Sequence, residues 1–136
     1  MRILSILAML LLAVQITVAK AGEPDDSIQA VIADQLSAFQ SNDLDRAFSH
    51  ASPGIQQIFQ TPRRFGEMVE SGYPMVWRPA SYRWLKIVQT DFGPVQVVLF
   101  EDSRGRLHEA GYLMEQVNGV WRINGVKLRP AEGYGA

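Results

Sequence analysis

Two histidines, His50 and His108, are the side chains of this chain best suited to moving a proton near neutral pH. His108 shares its parity with Ala110, Tyr112 and Met114, so on a strand an imidazole and a phenol would face the same side. His50 closes a short helical pattern, where an imidazole can meet the last free carbonyls, and capping is the plainer expectation for it. An isomerase-type reaction asks for a carboxylate base in an apolar pocket and a hydrogen-bond donor for the developing oxyanion. Asp34, with Tyr112 or Tyr73, supplies those residue types. Asp34 falls at helical spacing near a polar flank, however, and Asp91, Glu101 and Asp102 belong to turns, so no catalytic set is assigned.

Other chemistries find less support. The chain has no cysteine, which excludes disulfides and thiolate ligands, and its two histidines stand apart without a clustered carboxylate motif, so no metal is expected. Neither a glycine-rich phosphate loop nor a nucleophile elbow is present; Ser52-Pro53-Gly54 is turn chemistry, and no cofactor is expected. Aromatic residues are more suggestive. Tyr73, Trp77, Trp84, Tyr112 and Trp121 come from separate segments, and amphipathic rings commonly line small-ligand pockets. For Trp84 and Trp121 a packed core is the plainer expectation. The candidate ligand-binding residues are Tyr73, Trp77, His108, Tyr112 and Trp121.

The elements that must position these residues follow a leader. Arg2, the uncharged run Ile3 to Val18 and Ala19-Lys20-Ala21 have the layout of a signal peptide cleaved after Ala21, giving residues 1–21 as signal and 22–136 as one domain. No cysteine stands at the junction, so a lipid anchor is not expected, and a periplasmic or secreted protein is. Removing Arg2 and Lys20 leaves eleven basic against fourteen acidic residues, a net charge of −3. That balance offers no electrostatic footprint for nucleic acid or anionic lipid, and no membrane insertion is expected after cleavage. A domain of this size can bury roughly two-thirds of its unfolded surface in a core.

Gly22 to Asp26 reads as a short polar tether. Ile28, Val31, Ile32, Leu36 and Phe39 then recur at helical spacing, with Asp25 or Asp26 as a cap. Ser41-Asn42-Asp43 interrupts that helix and can cap a second, shorter one bearing Leu44, Ala47 and Phe48. Ser52-Pro53-Gly54 reads as its stop, and Ile55 to Phe59 as a single helical turn. Thr61-Pro62 opens a third helix with Phe65, Met68 and Val69 on its buried stripe and Gly72 at its end. From Tyr73-Pro74 to Pro79 the chain is stiff, a candidate rim or lid.

Four strands are predicted at Tyr82 to Gln89, Val95 to Phe100, Leu107 to Val117 and Val120 to Leu128. Asp91-Phe92-Gly93-Pro94, Asp102-Ser103-Arg104-Gly105 and Asn118-Gly119 join them as hairpins, the last as a type I′ turn. Val95 to Phe100, apolar on both faces, should be central. Helices followed by a meander make an α+β layout, three N-terminal helices packed on a curved antiparallel sheet. The tail from Pro130 to Ala136 is expected to fray.

The first helix, the short "SNDLDRAFSHAS" helix, the third helix and a bent sheet closing on "GVWRINGVKL" resemble the nuclear-transport-factor-2-like superfamily of cone-shaped α+β barrels, with its ketosteroid-isomerase and SnoaL-like members. More narrowly, "AFSHASPGIQQIF", "TPRRFGEMVESGYPMVWRP" and "GVWRINGVKL" are similar to domain-of-unknown-function family 4864. The superfamily resemblance implies a conical pocket between sheet and helices, homodimers through the other face of the sheet and, in catalytic members, an acid or base inside the cone. The expectation is an exported binder of a small apolar or amphipathic ligand. An isomerase, dehydratase or hydrolase and a protein-interaction module of the cell envelope are the alternatives.

Overall fold

The computed structural model describes residues 24–131. The signal segment 1–21, the start of the tether and most of the tail lie outside the described residues. Five helices precede the sheet: α1 Pro24–Gln40, α2 Leu44–Ser49, α3 Pro53–Phe59, α4 Pro62–Gly72 and α5 Pro74–Trp77. Four of these begin on a proline, whose fixed φ suits the first helical turn and whose missing N–H would be unpaired there in any case. Ser52 and Thr61 cap α3 and α4, their hydroxyls accepting from the N–H groups of Ile55 and Arg64 at 3.2 Å each, and Asp43 does the same for α2 through Arg46 N–H.

Three expectations for this half change. Pro53 starts a helix of 7 residues rather than stopping one, because Ser52 in extended conformation supplies the cap. The stiff crossing after Tyr73 contains the short helix α5, so three helices become five. Asp25 and Asp26 also lie within the first turn of α1, which begins at Pro24, and do not precede it as caps.

The strands are β1 Ser81–Thr90, β2 Gly93–Glu101, β3 Leu107–Val117 and β4 Val120–Pro130, in the order β1-β2-β3-β4 and antiparallel throughout. This is an open meander and not a closed barrel. β2 and β3 are central, while β1 and β4 are edges, as the run of apolar residues in β2 requires. Asn118 and Gly119, at φ 51° and 79°, make the two-residue turn that matches strand twist. Register shifts between Trp84 and Ile87 and between Leu113 and Met114 place a bulge in each half of the sheet, where bending enters.

One face of the sheet carries Val98, Phe100, Ala110, Tyr112, Met114 and Ile123 against Ile28, Ile32, Leu36 and Phe39 of α1 and Phe65 and Val69 of α4. Phe65 is the aromatic centre, with ring centroids 5.4 Å from Phe48, 5.8 Å from Phe59 and 6.0 Å from Phe39. The outer edge of β4 is tied to the chain linking α2 to α3. Ser52 N–H donates to the Ile123 carbonyl and Ile123 N–H to the His50 carbonyl, both at 2.8 Å. At the other end of α1, the Arg78 guanidinium donates to the Phe39 carbonyl at 2.6 Å and to Asn42 Oδ1 at 3.0 Å, satisfying a free helix carbonyl and fixing α5 beside it.

Candidate functional site

A chamber of about 290 Å³ lies where the helices do not fill the space above β4. Its walls are Gln35 and Phe39 of α1, Ala51 of the link before α3, Ile55, Ile58 and Phe59 of α3, Phe65, Met68 and Val69 of α4, Tyr73 at its end, Val76 of α5, and Ile123, Gly125 and Val126 of β4. The short α3 makes this space. It spans too few turns to cover the sheet, and it presents Ile58 at the mouth, 71% exposed, a large apolar side chain left in water. Two of the wall side chains are polar and none is charged. The Tyr73 hydroxyl donates to the Val126 carbonyl at 3.3 Å, and the Gln35 amide nitrogen donates to the Ala47 carbonyl at 3.1 Å.

The structure disperses the five candidate residues. Tyr73 lines the chamber. Trp77 stands behind its wall, its ring 5.4 Å from Phe39 and covered by the Arg78 guanidinium at 4.7 Å. Trp121, at the start of β4, packs half-buried against the core. Tyr112 is fully buried under the helices, where burial and the nearby Tyr82 push its phenol above the usual tyrosine value, and its hydroxyl has no hydrogen-bond partner among the described residues.

His108 sits at the far end of the same strand, paired across the sheet with Phe100 and Pro130. Its Nε2 lies 2.9 Å from Asp102 Oδ2 in the β2–β3 turn. That hydrogen bond, reinforced by the N–H groups of Arg106 and Arg104, holds the Asp102 carboxyl well below the usual carboxylate range against the opposing effect of burial. Asp34 is engaged elsewhere, its Oδ2 being 2.5 Å from His50 Nε2 and 3.5 Å from Arg46 Nε. The carboxylate, the phenol and the imidazole that an isomerase reading would combine are therefore each held by different surroundings. Among the described residues no three histidine or acidic side chains gather as a metal would need.

Two glutamines escaped the sequence reading. Gln35 lies three residues after Ile32 and four before Phe39, so it stands on the buried stripe of α1 and is 3% exposed. A polar residue on an apolar stripe was the signal for it. Gln96, fully buried within the apolar run of β2, donates to the carbonyls of Leu85 at 3.0 Å and Val97 at 2.9 Å, and accepts from Gln29 at 3.4 Å. It occupies the bulge in β1 and supplies a donor that the ladder loses there.

Among the described residues no helix covers the opposite face of the sheet. Val88, Val95, Val97 and Leu113 floor a broad groove of about 890 Å³, rimmed by Lys86, Lys127, Arg129 and Glu109, with Phe92 at one end 84% exposed.

A family model for a domain of unknown function, DUF4864, matches residues 22–136. The chain belongs to this family. No curated protein matches it. The match begins at Gly22 and so includes all the residues that build the DUF4864 chamber described above. Among the described residues no helix is long and apolar enough to cross a membrane.

Proposed function

We propose that this DUF4864 protein binds a small apolar or amphipathic ligand in the chamber between α1, α3, α4 and β4, without catalysing a reaction on it. The observation that carries this reading is the wall itself: twelve of fourteen lining residues are apolar or glycine, and none bears a charge. Ligand pockets are concave, mostly apolar and furnished with a few polar groups, and at about 290 Å³ the chamber stands at the small end of their usual range. An engineered apolar cavity of about 150 Å³ accepts benzene, so the chamber suits a compound of roughly a dozen heavy atoms.

Helices packed over one face of a bulged antiparallel sheet, with a pocket between them, support placement in the nuclear-transport-factor-2-like superfamily. Export to the periplasm or outside the cell is part of the proposal. It is supported by the apolar run from Ile3 to Val18, by Ala19-Lys20-Ala21, and by a family match that begins at the residue after the cleavage point. The bare apolar floor of the second face favours a second reading beside the first, a homodimer or another envelope protein docked through the sheet.

The test is a titration of the purified protein with neutral alkylbenzenes, following the methyl resonances of Ile55, Met68 and Val126. Saturable shifts confined to these residues are expected, together with their loss in Val69→Phe, which fills the chamber. Shifts absent from native protein, or unchanged in the filled variant, would overturn the proposal.

A further inference from the structure

Resting on that reading of the chamber, we infer that its ligand is an uncharged compound bearing a hydroxyl or N–H group, which enters polar end first and donates to Gln35 Oε1.

The Gln35 amide nitrogen gives one of its two N–H groups to the Ala47 carbonyl, and that bond fixes which way the amide faces. Its oxygen accepts no hydrogen bond among the described residues. Tyr73 spends its one proton on the Val126 carbonyl, so what it can offer a ligand is a lone pair. The two groups thus bring two acceptors, Gln35 Oε1 and the Tyr73 hydroxyl oxygen, against one uncommitted donor, the second Gln35 N–H. A ligand that only accepts, such as an ether, ester or ketone, can meet that N–H alone and leaves both acceptors without a donor, whereas an alcohol, phenol or amide N–H supplies one. A buried acceptor left without a donor is costly, and this turns into discrimination between ligands that otherwise fill the same space.

Charge is excluded by the same wall. Among the described residues no lysine, arginine or histidine lines the chamber, so a carboxylate would lose its water and meet two further oxygens. A fatty acid or bile-acid-like anion is therefore a poor occupant, although its hydrocarbon would fit. Orientation follows from exposure. Gln35 is 3% exposed and stands at the inner end, while Ile58, 71% exposed, marks the mouth. The donor group goes in first and the apolar tail points toward Ile58.

Three ligands of nearly one size separate these ideas. 4-Propylphenol and 4-ethylanisole are isomers that differ in having or lacking a donor, and 4-ethylbenzoate carries a charge. Calorimetry on native protein should give 4-propylphenol an affinity about fivefold or more above 4-ethylanisole, the ratio expected for one net hydrogen bond. 4-Ethylbenzoate at pH 8 should bind weakest of the three. In Gln35→Met, which keeps length and removes the acceptor, the preference for the phenol should vanish while 4-ethylanisole still binds.

Should that variant not fold, the native protein still decides: the Gln35 side-chain amide resonance should move with the phenol and stay in place with the anisole. Equal binding of the two isomers would overturn the donor requirement and leave the chamber's binding role standing. Binding of 4-ethylbenzoate as tight as that of the phenol would overturn the exclusion of charge. Failure of all three ligands, with no response in the chamber methyls, would remove the binding role and this inference with it.

Discussion

The two faces of the DUF4864 sheet are built from the same four strands and end in opposite states. On the helical face Val98, Phe100, Tyr112 and Met114 of the two central strands are buried, and beside them lies a small chamber with two polar groups. On the other face valines and a leucine lie under a shallow groove bordered by charges of both signs. What separates them is the length of the helical layer, not the composition of the strands. β2 is apolar on both sides, as a strand enclosed on both sides would be, yet the described residues supply a cover for one alone. An enclosed void favours a small molecule, and a wide rimmed floor favours another surface.

The comparison breaks most visibly on the helical side. Phe65→Ala removes the ring that touches Phe39, Phe48 and Phe59, and should cost about 3–5 kcal/mol in urea unfolding while enlarging the chamber. Gln96→Leu keeps the volume but leaves the carbonyls of the β1 bulge without their donor; a loss of about 1–3 kcal/mol is expected in the same experiment. A neutral result there would show that the bulge does not depend on the glutamine.

The turn between β2 and β3 belongs to both faces, and pH probes it. Because the folded state holds the Asp102 carboxyl below its ordinary value, its contribution is complete above about pH 4 and fades as pH falls through the acid range. Asp102→Asn should melt below native protein at pH 6 and approach it as pH is lowered toward 2; parallel melting curves across that range would rule the carboxylate out as the cause. The smallest effect belongs to the open face, where Phe92→Ser should change monomer stability by no more than about 0.5 kcal/mol. If light scattering shows a dimer that this substitution dissociates, the second face is an interface.

Local signals made much of the fold legible. Asn118-Gly119, Thr61-Pro62 and the α1 stripe each specify their own backbone through sterics or spacing, so hairpins, cap and helix follow from residue type. Ser52-Pro53 misled for the same reason: a cap followed by proline starts a helix as readily as it ends one, and the deciding partner, Asn124, lies 72 residues away and takes the Ser52 hydroxyl at 2.7 Å. The candidate site was less legible because convergence is not a local property. Tyr73 was picked for its chemistry, but whether it meets His108, Tyr112 or Gln35 depends on how far α3 and α4 reach over the strands.

The occupied edge of β4 sets a limit on assembly. Its outward backbone groups at Ile123 and the Val126 carbonyl are satisfied by the chain itself, through the 50–52 link and the Tyr73 hydroxyl. Among the described residues β1, with its row of exposed side chains, has no such cover along its outer side. A border partly engaged by its own chain offers a neighbouring strand fewer free groups than the other border does. The hydroxyl that closes one wall of the chamber thus also removes an acceptor from the edge on which such a strand would pair.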